Sequence, residues 1–173
     1  MAKLNIADFY HFTSVDNLHS IDKSGLLRRH TSNEAKRINI ALEKYLPQNI
    51  ACPLPQPRSK CLFFYPFAKY WYAVEYEKGQ FLKILVDPEI FKKDLLFVAD
   101  EIMSNRVSYY IYNNVGEKLI EDKARQYWES IVPYREYIKK PLIPVDEIEL
   151  LYFEDVTRQY LDIELKTKAI KKA

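Results

Sequence analysis

Three glycines in 173 residues, Gly25, Gly79 and Gly116, set the first limit on this chain. A phosphate cradle made from consecutive glycines needs several backbone N–H groups presented by one tight turn. Neither the P-loop nor the GxGxxG turn can be written anywhere in this sequence, so the ordinary NTPase and Rossmann readings are excluded. Hydrophobic residues at 48% and aromatics at 14% exclude disorder and collagen-like or mucin-like fibres, and suit one compact domain. Lys and Arg number 26 against 24 Asp and Glu, a net charge of +2, too small to announce a nucleic-acid protein and no bar to one. Cys52 and Cys61 have no partner pair and no histidine at zinc-ligand spacing, which argues against a structural zinc site. The N-terminus carries neither an apolar signal region nor a small-residue cleavage site, and no stretch reaches the length of a membrane span. The expectation is a cytoplasmic protein with reduced thiols.

Along the chain, DFYHFT from Asp8 to Thr13 alternates aromatic and polar residues and predicts a short strand. Ser14 offers an N-cap, Val15, Leu18 and Ile21 share one helical face, and Gly25 supplies the stop. Glu34 to Leu46 places Ile38, Leu42 and Tyr45 at helical spacing, and the proline-rich CPLPQPR that follows cannot be helix. Cys61 to Tyr65 predicts a buried strand, Pro66 to Gly79 a helix, and Phe81 to Val86 a strand closed by Asp87-Pro88. LLFVAD, ending at Asp100, is an apolar strand, and residues 101–130 are mostly helical in pattern. Arg135 to Lys139 and Ile148 to Phe153 are expected to be two further strands joined by a Pro141–Pro144 connector. Without regular βαβ alternation, this order favours an α+β fold: one domain over residues 1–165, with a basic tail, 166–173, that frays.

Three places carry candidate chemistry. His11 lies inside a strand between two aromatics, where it either holds a ligand through its ring or backbone or is a half-buried histidine satisfied by a carbonyl. Tyr65, at a strand end, either offers its ring to a flat ligand or belongs to the core. Glu136, on an expected strand beside Tyr137 and Ile138, is either a carboxylate tuned by apolar neighbours or the partner of Arg135 or a lysine. Tyr109, Tyr110 and Tyr112 either stack on unpaired bases or pack their helix onto the sheet.

Together, the three places resemble the H-Y-E arrangement of ADP-ribosyltransferases, in which a histidine, an aromatic residue and a glutamate come from separate strands. YHFTSVDNLHSIDKSGLL resembles the entry of DarT-type DNA ADP-ribosyltransferases, wording shared in part by RNA 2′-phosphotransferases. The family also has a catalytic glutamate followed by an aliphatic residue, a proline eight places on and an aliphatic residue twelve on. Glu136, Ile138 (one place early), Pro144 and Ile148 follow that register. Residues 31–60 and 101–130 match nothing in the family pattern. Where the family carries an arginine-bearing turn, this chain has Tyr65-Pro66-Phe67-Ala68-Lys69.

The resemblance implies a split mixed β-sheet with flanking helices. It implies NAD as substrate and no metal, with cleavage of the nicotinamide glycosidic bond through an oxocarbenium-like transition state. On that pattern Glu136 hydrogen-bonds the ribose 2′-hydroxyl, His11 and Thr13 hold ribose, Tyr65 stacks on nicotinamide, and Arg28 or Arg29 contacts the pyrophosphate. The acceptor is then single-stranded DNA or another nucleic acid, or else a protein, with no membrane partner, and a toxin or defence role follows the same likeness. The alternatives are an RNA 2′-phosphotransferase-like enzyme that also uses NAD, or a catalytically silent binding domain of the same fold.

Overall fold

A computed structural model describes residues 9–28, 33–47, 52–67, 74 and 76–165, and these form one α+β domain. Two antiparallel sheets carry the architecture. The first has the order β1-β3-β7, from Phe9–Ser14, Phe81–Val86 and Leu161–Glu164. The second has the order β2-β6-β4-β5, from Leu62–Phe64, Ile148–Tyr152, Leu96–Asp100 and Val132–Pro133. The helices are α1 (Leu18–Ser24), α2 (Asn33–Lys44), α3 (Glu101–Tyr112), α4 (Glu117–Ser130) and the single turn α5 (Tyr134–Tyr137).

The strand sequences report which layer each strand occupies. In β3, FLKILV, the buried residues Leu82, Ile84 and Val86 alternate with partly exposed ones, as expected of a sheet covered on one face. In β4 all of Leu96, Phe97, Val98 and Ala99 are buried, because the four-stranded sheet lies between two layers. Leu96 and Val98 face the first sheet with Phe9, Phe64, Ile84, Leu150 and Tyr152. Phe97 and Ala99 face the helical layer with Leu42, Val107, Ala124, Tyr127 and Trp128. Two cores therefore share one sheet. Trp128 fastens the helical side through its indole N–H, which donates to the Leu42 carbonyl at 2.7 Å.

At the start of the chain, Ser14 accepts from the Asp16 N–H, and a 3-10 turn leads into α1. Gly25 then ends α1 at φ 75°, where a Cβ would lie 2.1 Å from the Val156 carbonyl oxygen. That close approach lets Leu26 form an antiparallel bridge with Val156, bonded in both directions, and carries the chain across to Arg28.

The strands expected at 8–13, 61–65, 81–86, 95–100 and 148–153 are present as β1, β2, β3, β4 and β6, and the helical patterns at 34–46 and 101–130 as α2, α3 and α4. Arg135–Lys139 is not a strand. Pro133 caps a helical turn over Tyr134–Tyr137, and the pairing strand is the two-residue β5 before it. The reason is a three-residue spacing: Tyr134 and Tyr137 both turn into the inter-sheet core, while Arg135 and Glu136 face solvent. β7 had no counterpart in the sequence reading. Of the expected helix from Pro66 to Gly79, residues 68–73 and 75 fall outside the described residues, Val74, Tyr76 and Glu77 are helical, and Pro66, expected at its first position, is not; the whole basic tail also falls outside.

Candidate functional site

Among the described residues the backbones of the two sheets are joined at one isolated bridge. Tyr10 and Tyr65 exchange both backbone bonds, at 2.8 and 2.9 Å, joining β1 to the residue after β2. The next rung of such a ladder would use the Phe63 carbonyl. That oxygen instead accepts from His11 Nδ1 at 2.8 Å, at the place where the sheets part. A carbonyl can only accept, so Nδ1 carries the proton and the neutral ring keeps its lone pair on Nε2. Burial lowers the His11 pKa below its usual 6.5, and the bond to Phe63 opposes that shift more weakly. The imidazole lies 5.6 Å from the Phe64 ring, on the face turned toward the inter-sheet core.

Residues paired across an antiparallel bridge share a face, and neighbours along a strand do not. Tyr65 therefore projects with Tyr10, on the side opposite His11. Its side chain is also buried, at 9% exposure. The expected stacking of the Tyr65 ring beside His11 is not what this geometry provides: Tyr65 contributes its backbone to the bridge, and Phe64 is the aromatic that shares the histidine's face. Thr13 lies two residues beyond His11 on that face, and its hydroxyl accepts from Asn17 Nδ2 at 2.7 Å.

Arg28 is held by both ends. Its backbone N–H and its Nε donate to Asp155 Oδ1 at 2.9 and 3.4 Å, and Nη1 donates to the Phe153 carbonyl at 2.7 Å and to Gln56 Oε1 at 3.4 Å. Since Leu62 pairs with Tyr152, Phe153 lies level with Cys61 at the entry to β2. Arg28 is thus anchored to the residue that follows β6 and His11 to β2, two positions apart in the register of that strand pair. Arg29 lies outside the described residues.

Glu136 is not brought to this place. It stands on α5 beyond β5, the far edge of a sheet whose opposite edge is β2, a span of about 14 Å at ordinary strand spacing. Its side chain is 54% exposed, with Arg135 Nε at 3.7 Å and Lys139 Nζ at 3.6 Å. Tyr134, at the start of α5, makes an edge contact with Phe9 of β1, with ring centroids 5.8 Å apart.

The tyrosines of α3 do not pack against the sheet. Tyr109 and Tyr112 are 62% and 53% exposed, while Ser104 and Val107 form the helix's buried side. Tyr110 lines an open, mainly apolar groove of about 620 Å³ between α2, α3 and α4, on the opposite side of the four-stranded sheet from His11.

Sequence reasoning passed over a second polar centre, on that helical side. Arg58 Nη2 donates to Glu149 Oε1 at 2.8 Å, and Tyr127 donates to the same oxygen at 2.6 Å. Arg58 Nε meets the Tyr127 hydroxyl oxygen at 2.6 Å, and Nη1 donates to Asn39 Oδ1. The guanidinium also lies 4.4 Å from the Phe63 ring centroid. Burial disfavours the Arg58 charge but is outweighed by Glu149 and Tyr127, so its pKa is raised; burial likewise pushes the Tyr127 hydroxyl well up. The available signal was Glu149 inside the apolar run IELLYF, an odd charge in a strand buried on both faces.

Among the described residues no group of three or more His, Cys, Asp or Glu is placed to hold a metal ion, and no helix is long and apolar enough to cross a membrane. No protein-family model matches the chain, and no curated protein matches it.

Proposed function

We propose that this chain is an NAD-dependent mono-ADP-ribosyltransferase whose dinucleotide lies in the parting between β1 and β2. One observation carries the reading: His11 Nδ1 donates to the Phe63 carbonyl where the two sheets separate, which leaves Nε2 as the ring's acceptor, the group a ribose hydroxyl would need. Thr13 follows on the same face, and Arg28 lies within the reach of a dinucleotide on the neighbouring strand ends. The reaction breaks the bond between nicotinamide and ribose, nicotinamide leaves with the bonding electron pair, and the oxocarbenium-like carbon bonds an oxygen, nitrogen or sulfur nucleophile of the acceptor, whose proton passes to solvent. Glu136 stabilises that cationic carbon by accepting from the ribose 2′-hydroxyl, a role that requires α5 to close over the nicotinamide end. The acceptor class is nucleic acid, with single-stranded DNA first, or protein.

The distance between α5 and His11 favours one second reading, a catalytically silent domain that binds a nucleotide in the same parting. Nicotinamide release by the purified chain separates the two. The transferase reading expects release that depends on single-stranded DNA, RNA or protein acceptor and is lost in Glu136→Gln. Absence of release with every acceptor, from folded protein that still binds NAD, overturns it in favour of the silent domain.

A further inference from the structure

Phe63 touches both polar centres. Its carbonyl accepts from His11 Nδ1 at 2.8 Å on the β1 side, and its ring centroid lies 4.4 Å from Arg58 Cζ on the helical side. β2 is only three residues long. Leu62 and Phe64 bury their side chains between the two sheets, whereas Phe63 packs against the helical core, so its ring is what ties this short strand to that layer. The guanidinium plane on which the ring rests is itself fixed. Arg58 is buried, and all three of its guanidinium nitrogens are bonded, Nε to the Tyr127 hydroxyl, Nη1 to Asn39 and Nη2 to Glu149. Turning a planar guanidinium would break several of these bonds at once, in a place where unpaired groups are costly. A cation over an aromatic face also attracts it more strongly where water is excluded.

We infer that Arg58 is a positioning residue for His11: through the Phe63 ring it keeps the Phe63 carbonyl on Nδ1, and so fixes the tautomer in which Nε2 is the acceptor. In a strand the carbonyl lies across the direction of the side chain. Rotating β2 about its axis to swing that carbonyl away from His11 would therefore lift the ring off Arg58. The link runs from the helical core, through one side chain and its own backbone, to the place where the sheets part. The positioning stands on this geometry, while its use in holding a ribose rests on the nucleotide reading above.

The test reads the protonated ring nitrogen of each of the three histidines from nitrogen-15 spectra of the full chain at about pH 8, where imidazoles are neutral. His11→Gln identifies the His11 signals, and the exposed His19 serves as the reference ring. Wild-type His11 is expected as one tautomer, with the proton on Nδ1. Phe63→Leu keeps an apolar side chain and removes the ring. Arg58→Met combined with Glu149→Leu removes the guanidinium without leaving a buried charge. Each should lower the preference for the Nδ1–H tautomer about five- to tenfold, the loss of one hydrogen bond, while Phe63→Tyr, which keeps the ring, should read as wild type. Wild-type His11 protonated on Nε2 overturns the inference before any variant is made. An unchanged tautomer in either folded variant also overturns it, in Phe63→Leu because the ring is then not needed and in the paired variant because Arg58 is not. A shifted tautomer in a chain that releases no nicotinamide with any acceptor keeps the positioning and removes the transferase. Nicotinamide release with an unshifted tautomer does the reverse.

Discussion

Glu136 and Glu149 have the same side chain and opposite surroundings. Glu149 is 3% exposed and receives Arg58 and Tyr127 on a single oxygen, tying β6 to α4 and, through Asn39, to α2. Glu136 is solvent-facing and meets two cations only at 3.6 and 3.7 Å. A carboxylate whose charge is matched inside the fold has no freedom to follow charge developing on a ligand. One held loosely at the surface can change partners at little cost. The contrast assigns architecture to Glu149 and leaves Glu136 available for chemistry, and each assignment can be broken separately.

The largest effect belongs to the buried pair. Glu149→Ala or Arg58→Ala leaves the other charge unmatched in the helical core and should cost about 3–5 kcal/mol, read from urea unfolding. Replacing both, with Arg58→Met and Glu149→Leu, should recover most of that loss, because no charge is then buried. A single replacement costing less than about 1 kcal/mol would mean that water reaches the cluster and that Glu149 is not the locked group described here. Asn39 Nδ2, buried without a partner, is where such a water would bind.

Glu136→Gln comes next, and its effect falls on rate. On the transferase reading nicotinamide release should drop about a hundredfold, the loss of one transition-state contact, while NAD affinity changes little. Its unfolding free energy should stay within about 0.5 kcal/mol of wild type, as for other exposed substitutions. A variant that unfolds early and keeps its turnover would invert the comparison.

His11 gives a smaller effect whose sign is fixed by its environment. Its pKa is lowered in the folded state by burial, so the unfolded chain takes up the proton first. The contribution is fully present above pH 6.5, falls as pH drops below that value, and levels off below the folded pKa. Urea unfolding at pH 8 and pH 5 should therefore show a loss in the wild type that is reduced in His11→Gln. An identical pH dependence in both would place the proton elsewhere.

Much of the frame was legible because its signals are local. FLKILV alternates since one face of β3 meets the core, and LFVA does not since both faces of β4 do. Gly25 ended α1 as expected, although the need for it comes equally from Val156, far along the chain. The misread segment, Arg135–Lys139, failed for a physical reason: so few residues fit either period, and the decision belongs to Pro133 and to the core that receives Tyr137. The opposed faces of His11 and Tyr65 depend on which residue at the end of β2 pairs with Tyr10, a long-range register that spacing cannot specify. The Arg58 cluster joins four distant segments, and only the misplaced charge in IELLYF hinted at it.

The smallest prediction tests the looseness on which the comparison depends. Lys139 meets Glu136 one helical turn away at 3.6 Å, and both side chains are more than half exposed. Such a pair gains little, because water screens the attraction and two flexible side chains must be ordered to make it. Lys139→Ala should therefore change unfolding stability by no more than about 0.5 kcal/mol. The same holds for Arg135→Ala on the Glu136 side, although that residue also donates to Asp94 at 2.8 Å and so loses a second contact. Measured at low and high salt, the Lys139→Ala difference should shrink further as the charges are screened. A loss above 1 kcal/mol that persists in salt would show Glu136 fixed into α5 much as Glu149 is fixed into β6, and a glutamate held that way could not also turn to a ribose hydroxyl.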